Sequence, residues 1–545
     1  MTDKTRQTPT PSTTGPADAS AELTGQSHVI RNVLASWAGH VVFVITGFIL
    51  PRLIDGRVGQ DALGVWDFGW SLVAYFGLVS GGVMSSVSRY VARHRAQRET
   101  EEMNVTVNTG LAIYLLTGGL VLLLTIVTTL LVPSLFGARF GQLTPQAQCV
   151  TLLLGLSLVG QFVFAVFNGV ITGCHRWGLH NAIGAGAHLV SAGGMITILC
   201  LGGGLPGMAA VVLAGEALAG VLRWVAAHRV CPGLCISLRL ARLRHARELI
   251  WFGGKTVTDS VARIVLYQTS PLLIVGFMGP AALALYARSA SLIRHATTFL
   301  NKFAYVLTPT ASAMQAAAGT QTSTSEDTKP LQELLVKGTR YSLYIGFPMI
   351  IVLAILGKSV LQLWMGERYA YGTVLAILAV GHLAPLSQRV TYHVLMGMGR
   401  HGLPAIAMLG AAVVAAVLTV LFLGSFQWGL EGAALAIVLP LTIVNAVVVP
   451  AYACRVLSLP YTRYLAQVLP GPIFAAAPLA LWLWVARAAW DGSAMAVLAW
   501  GLGIGFIITA PIYWHCIVPP SLRQAVADRF AGTLRRLRVS QAGSP

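Results

Sequence analysis

The sequence predicts an all-α polytopic membrane protein, and three observations carry that prediction: an apolar composition, uncharged runs of spanning length, and basic residues sorted between alternate loops. Its 545 residues are 55% hydrophobic and 10% charged, with a mean hydropathy of +0.71. Soluble domains carry about 25% charged residues. Runs such as 111–132, 150–171 and 405–423 hold no charge. Each is close to the roughly 20 residues needed to cross a hydrocarbon core, so each predicts a spanning helix.

Helices are expected over approximately 33–54, 66–88, 108–132, 149–173, 181–203, 206–229, 250–277, 282–312, 341–357, 371–397, 403–424, 430–455, 466–486 and 494–516, about fourteen in all. With the amino terminus in the cytoplasm, alternate loops sort by charge as the positive-inside rule requires. Inside segments collect the clusters Arg89–Arg98, Arg223–Arg229, Arg239–Arg247 and Lys329–Arg340; outside segments hold only Arg52, Arg57, Arg139, Lys358, Arg368 and Arg487. A miscounted helix would scramble this pattern, so both termini are expected to be cytoplasmic. The formal charge of +18 is thereby assigned to topology and anionic lipid rather than to nucleic acid. Residues 1–27 have no apolar stretch and are expected to form a disordered tail. The segment 235–253 alternates basic and apolar residues at helical spacing, which predicts a helix lying along the inner surface.

The chain repeats itself. ITGCHRWGL (171–179) matches LMGMGRHGL (395–403), GLPGMAA (204–210) matches GLEGAAL (429–435), and ALGVW (62–66) matches ALALY (282–286), at an offset near 220 residues. Six helices per copy is an even number, so the copies share an orientation. Two such parallel six-helix lobes around a central cavity are a transporter architecture. The expected organisation is an N-lobe (28–230), a cytoplasmic amphipathic linker (231–249), a C-lobe (250–456), two additional helices (457–518) and a basic cytoplasmic tail (519–545).

ALGVWDFGWSLVAYFGLVSGGVMSSVSRYVA (62–92), GVITGCHRWGL (169–179), ALALYARSASLIRHATTFLNKFAYVLTPTAS (282–312) and WGLEGAALA (428–436) carry a family resemblance. From about Val29 to about Val518 the chain resembles the polysaccharide flippases of the multidrug/oligosaccharidyl-lipid/polysaccharide (MOP, MATE-like) exporter superfamily. The resemblance implies a flippase that moves a polyprenyl-diphosphate-linked glycan from inner to outer leaflet by alternating access, in a bacterial inner membrane. It implies membrane lipids as surroundings, and a glycan polymerase or glycosyltransferases as pathway partners. The peptidoglycan lipid-precursor flippase and the cation-coupled multidrug exporter of the same superfamily are the alternatives.

Charged residues inside the spans are costly and face cavities or partners, at about 2.5–3.5 kcal/mol each on insertion scales. Arg263, Arg288, Arg294, Lys302 and Arg389 are the basic ones. Lys255, Asp259, Arg263 and Tyr267 follow at four-residue intervals; Arg288, His295 and Lys302 recur every seven; His382, Arg389, His393 and Arg400 fall within a narrow arc. The five basic residues are the candidate diphosphate-binding groups, since a guanidinium pairs well with phosphate oxygens. Snorkelling of Lys302 and Arg288 to a helix end is the structural alternative. Asp259 and Glu216 are the candidate acids for H⁺ or Na⁺ coupling, with a fixed Asp259–Arg263 ion pair as the competing explanation and no obvious partner for Glu216.

No other cofactor and no catalytic residue is expected. GGKT (253–256) lacks the first glycine of a phosphate-binding loop, whose place Leu249 holds. The seven cysteines are scattered, and CPGLC (231–235) has no second ligand pair for a metal. The outside segments are too short to house the groups of a membrane glycosyltransferase, so an enzyme is not expected.

Overall fold

The computed structural model describes residues 26–80, 82–254, 257–305, 307–317, 329–489, 493–518 and 523–524; the side chains of 26–40, 80, 252–254, 257–259, 302–303, 305, 309, 316–317 and 516 lie outside that description. The two tails expected from the sequence therefore fall almost wholly outside the described residues. Among the described residues every regular element is helical. In chain order these are α1 (Gln26–Val58), α2 (Gln60–Phe76), α3 (Val83–Gln97), α4 (Thr100–Phe140), α5 (Thr144–Gly173), α6 (Trp177–Cys200), α7 (Gly204–Val230), α8 (Leu243–Gly254), α9 (Val257–Met278) and α10 (Pro280–Tyr305). They continue as α11 (Leu307–Ala317), α12 (Lys329–Ile355), α13 (Gly357–Met365), α14 (Gly372–Ser387), α15 (Arg389–Gly397), α16 (Gly402–Val420), α17 (Gly429–Ile443), α18 (Val449–Val456), α19 (Tyr461–Val468), α20 (Pro470–Ala489) and α21 (Ala494–Cys516).

Eleven helical stretches among the described residues are long and apolar enough to cross a membrane, and one of them, the 74-residue Thr100–Gly173, holds both α4 and α5. The protein is multi-pass. Each of the fourteen stretches expected from the sequence holds helix among its described residues, and the second is interrupted. The span expected over 66–88 is two helices, because α2 ends in a 3₁₀ turn at Gly77–Ser80 and α3 begins after Gly82, whose φ of +71° is a left-handed conformation open to glycine.

The chain forms two compact units: Met1–Arg57, Phe76–Val132 and Gln148–Val257 make the first, and Val58–Tyr75, Pro133–Ala147 and Thr258–Pro545 the second. One packing detail recurs in each. In the first unit Gly173 lies so close to α3 that a Cβ would sit 2.7 Å from the Ser88 carbonyl oxygen and 2.9 Å from the Val91 Cβ. In the second, a Cβ on Gly397 would sit 2.6 Å from the Thr308 carbonyl oxygen and 2.9 Å from the Ala311 Cβ. These glycines are matched by the internal repeat, 224 residues apart, and the Ser88 and Thr308 carbonyls they approach are 220 residues apart. The repeat letters mark a backbone approach that only glycine permits.

In the first unit the linker after α7 is stapled to α4. Asn104 Nδ2 donates to the Gly233 carbonyl at 2.9 Å and its Oδ1 accepts from Cys235 N at 2.9 Å. One turn on, Asn108 Nδ2 donates to the Cys235 carbonyl at 2.7 Å, and its Oδ1 accepts from Ser237 N at 2.7 Å. Thr109 Oγ1 then accepts from Arg242 N at 3.0 Å. Ser86 Oγ donates to the Leu249 carbonyl at 2.8 Å and so fastens α8 to α3. Backbone groups without a helix ladder need other partners, and these side chains supply them. Asn108 is 0% exposed. Asn108→Ala should orphan the Ser237 amide and the Cys235 carbonyl it serves at about 1–3 kcal/mol, read as faster hydrogen exchange at the Ser237 amide.

In the second unit a core of Leu335, Leu343, Val390, Val394, Leu457 and Tyr464 joins α12, α15, the turn after α18, and α19. The last helix is tied to α12 by Tyr513 Oη donating to the Tyr344 carbonyl at 2.7 Å, and α20 to α21 by Trp482 Nε1 donating to the Gly501 carbonyl at 3.0 Å.

Candidate cavity of the second unit

A cavity of about 610 Å³ lies within the second unit, lined by α2, α9, α10, α14, α15 and α17. Helical periodicity places its walls. From α2 come Asp67, Trp70, Ser71 and Ala74, and from α9 Arg263, Tyr267, Gln268 and Pro271; both sets recur at three- and four-residue steps and so share one face. From α10 come Tyr286, Ala290, Arg294 and Thr297, and His382, Arg389 and Ile437 complete the wall.

Pro271 has no N–H to give the carbonyl of Tyr267, four residues earlier, so the helix ladder opens on the cavity face. Tyr267 and His382 stack with ring centroids 6.3 Å apart, and His382 Nδ1 donates to the Leu378 carbonyl at 2.7 Å, which leaves its other nitrogen as the acceptor in the neutral ring. Tyr75 and Thr269 hydrogen-bond between α2 and α9.

Arg263 and Arg294 are exposed to the cavity and Arg389 is half-buried in its wall, with Arg389 Nε lacking a hydrogen-bond partner among the described residues. The carboxylate of Asp67 is taken up by Arg288, whose Nη2 lies 2.6 and 2.7 Å from its two oxygens. Among the described residues the lining brings three guanidinium groups beside aromatic and aliphatic walls, with the Asp67 carboxylate taken up by Arg288. Such a surface suits an anionic group attached to an apolar body.

Of the five basic residues proposed from sequence, the structure brings Arg263, Arg294 and Arg389 together. Arg288 is different: it is 5% exposed, absent from the lining, and engaged by Asp67. The seven-residue stripe that grouped it with His295 and Lys302 is not the cavity face of α10, which runs through Tyr286, Ala290 and Arg294 and is turned by about one residue (~100°). The partner of Arg288 is a carboxylate on another helix. The side chains of Lys302 and Asp259 lie outside the described residues. Glu216, expected to stand alone, has Arg223 Nη1 at 3.5 Å, two turns along α7 in the first unit.

Sequence reasoning missed Asp67 and Trp70. The signal was present in the repeat. Asp67 and Arg288 are 221 residues apart, as are Gln60 and Ala281, whose carbonyl accepts from Gln60 Nε2 at 3.2 Å. The two matched segments ALGVW and ALALY begin helices that touch each other. Cys231 donates to Met103 Sδ at 3.5 Å while Cys235 is exposed, and among the described residues no group of three or more His, Cys, Asp or Glu is placed to hold a metal.

Residues 144–372 match the family model described as "Polysaccharide biosynthesis protein", and residues 38–179 match the MatE model. The chain is 22% identical over 460 residues to the uncharacterized membrane protein EpsK of Bacillus subtilis (strain 168), covering 82% of this chain and 86% of that one. It is 20% identical over 414 residues to a putative O-antigen transporter of Shigella flexneri, covering 75% and 93%. Among solved structures, the lipid II flippase MurJ in an inward closed conformation superposes with a TM-score of 0.65 at 13% identity, covering 90% of this chain and 100% of MurJ. An inward-facing multidrug resistance MATE family transporter of the MOP superfamily gives 0.62 at 17%, covering 77% and 98%.

These matches show a MATE-like fold, and they are with proteins named as transporters and flippases, one of them of the MOP superfamily. The polysaccharide-biosynthesis match bears out the resemblance read from the sequence, to the polysaccharide flippases. Of these proteins, one is named as a putative O-antigen transporter and another as a lipid II flippase.

Proposed function

We propose that this protein flips a polyprenyl-diphosphate-linked oligosaccharide from the inner to the outer leaflet of a bacterial cytoplasmic membrane, for assembly of a cell-surface polysaccharide. The single observation that carries the reading is the cavity with Arg263, Arg294 and Arg389 in its wall. Guanidinium forks match diphosphate oxygens, and in a site shielded from water such charged hydrogen bonds are strong. Trp70, Tyr267 and Tyr286 supply flat faces on which sugar rings stack. Against a cation exporter, the one lining carboxylate among the described residues is already engaged by Arg288.

The excess of Lys and Arg in alternate loops supports an orientation with both termini inside. Turnover proceeds by alternating access and draws on no cofactor beyond an H⁺ or Na⁺ gradient. The enzymes that build and polymerise the glycan are the functional neighbours.

The test is binding of a polyprenyl-diphosphate oligosaccharide to purified protein in nanodiscs. Arg263→Ala and Arg294→Ala should each weaken binding by about 1.5–3 kcal/mol, roughly ten- to a hundredfold. A parent that ignores this lipid and binds organic cations would reverse the assignment. A peptidoglycan lipid precursor presents the same diphosphate, so a competition between the two lipids decides which glycan is preferred.

A further inference from the structure

We infer that the first unit carries a separate site for an anionic phospholipid, built where α3, the start of α4 and α8 meet. A polar cavity of about 380 Å³ is walled there by Tyr90, Arg93 and His94 of α3, Glu102 and Thr106 of α4, and the segment 242–249. Its carboxylates are already engaged. Glu102 accepts from His245 Nε2 at 3.1 Å, and Glu248 faces Arg244 Nε at 3.7 Å. Glu99 nearby accepts from His94 Nδ1 at 2.8 Å.

Arg93 and Arg242, by contrast, have no carboxylate within ion-pair distance among the described residues. Arg93 Nε donates only to the neutral Gln97 Oε1 at 3.2 Å. His245 Nδ1 is buried with no hydrogen-bond partner. The backbone of Arg242 is pinned by Thr109, so its guanidinium is carried on a fixed stem. A cavity with two surplus guanidinium donors fits a phosphodiester.

What makes the ligand a lipid is the neighbouring surface. A second concavity of about 1120 Å³ shares Arg244 and Glu248 with the first and is otherwise lined by Leu243, Ala246, Arg247, Ile250 and Trp251. Leu243 is 88% and Trp251 74% exposed. Large apolar side chains on one face of a basic helix are covered by a bilayer interface. A phosphate in the polar cavity thus has hydrocarbon contacts available immediately beside it. Free phosphate would use the polar half alone.

Native mass spectrometry of the purified full chain, released from nanodiscs of mixed phosphatidylglycerol and phosphatidylcholine, tests the site. The parent should retain phosphatidylglycerol at least about tenfold over phosphatidylcholine. Arg93→Gln with Arg242→Gln should abolish that preference, Leu243→Ser with Trp251→Ser should lower retention of the lipid, and Arg455→Gln, an exposed arginine of the second unit, should change nothing. A preference surviving the first pair, or falling equally with Arg455→Gln, overturns the site in favour of diffuse surface charge. Full competition by millimolar inorganic phosphate, with no effect of the second pair, overturns the lipid assignment. Hydrogen exchange on the parent alone gives an arm independent of variant folding: residues 242–251 should be protected in phosphatidylglycerol relative to phosphatidylcholine nanodiscs, and equal exchange counts against the site.

Discussion

Replacing Asp67 with asparagine is expected to lower stability by about 3–5 kcal/mol, the range for removing one partner from a buried ion pair. Most of that cost comes from the partner left behind. The Arg288 side chain is 6% exposed and that of Asp67 16%, so the guanidinium would hold an uncompensated charge with little access to water. Its position is already demanding, since Arg288 Nε has no hydrogen-bond partner among the described residues. Removing both charges with Asp67→Leu and Arg288→Met should recover much of the loss, because a well-packed apolar pair avoids the desolvation of two ions. Unfolding in mixed detergent micelles reads the cycle. An Asp67→Asn protein within about 0.5 kcal/mol of the parent would mean that the pair is an ordinary surface contact. Arg263→Ala should behave in the opposite way, losing ligand while keeping stability, because its group is exposed to the cavity.

How much of this was legible in the sequence depends on the kind of interaction. Spanning helices follow from twenty-residue apolar runs, which depend on local composition alone, and every expected stretch holds helix among its described residues. The α9 stripe of Arg263 and Tyr267 was readable for the same reason: helical spacing is a local rule. The faces of α10 were not. Arg288, His295 and Lys302 share a face by period, but which face meets a cavity depends on the helix opposite, and that helix carries Asp67. The broken second span was partly visible in Gly77, Gly81 and Gly82. The staple of Asn104 and Asn108 was visible only as two polar residues one turn apart in an otherwise apolar helix, since their partners are backbone groups about 130 residues away.

The same pair of helices gives the second large effect: Gly64→Ala should disrupt the second unit, whereas Gly160→Ala in α5 should be neutral or slightly stabilising. A Cβ on Gly64 would lie 1.9 Å from the carbonyl oxygen of Pro280, 2.3 Å from its carbonyl carbon and 2.8 Å from its Cα. All three are backbone atoms, so no side-chain rotation relieves the clash and α2 must move as a body. Overpacking of this kind costs about 1–3 kcal/mol even where side chains yield. Here the displacement also pulls on the Gln60–Ala281 hydrogen bond one turn before it and on the Asp67–Arg288 pair one turn after it. The loss should therefore exceed the overpacking range and approach that of Asp67→Asn. A Cβ on Gly160 would meet nothing within 4 Å, so there the helix propensity of alanine, worth about 1 kcal/mol over glycine, acts unopposed. Combining Gly64→Ala with Asp67→Asn separates the explanations. If the clash acts by parting Asp67 from Arg288, the double variant loses less than the sum of the two singles; full additivity would mean that the close approach at Pro280 and the ion pair stabilise the unit independently.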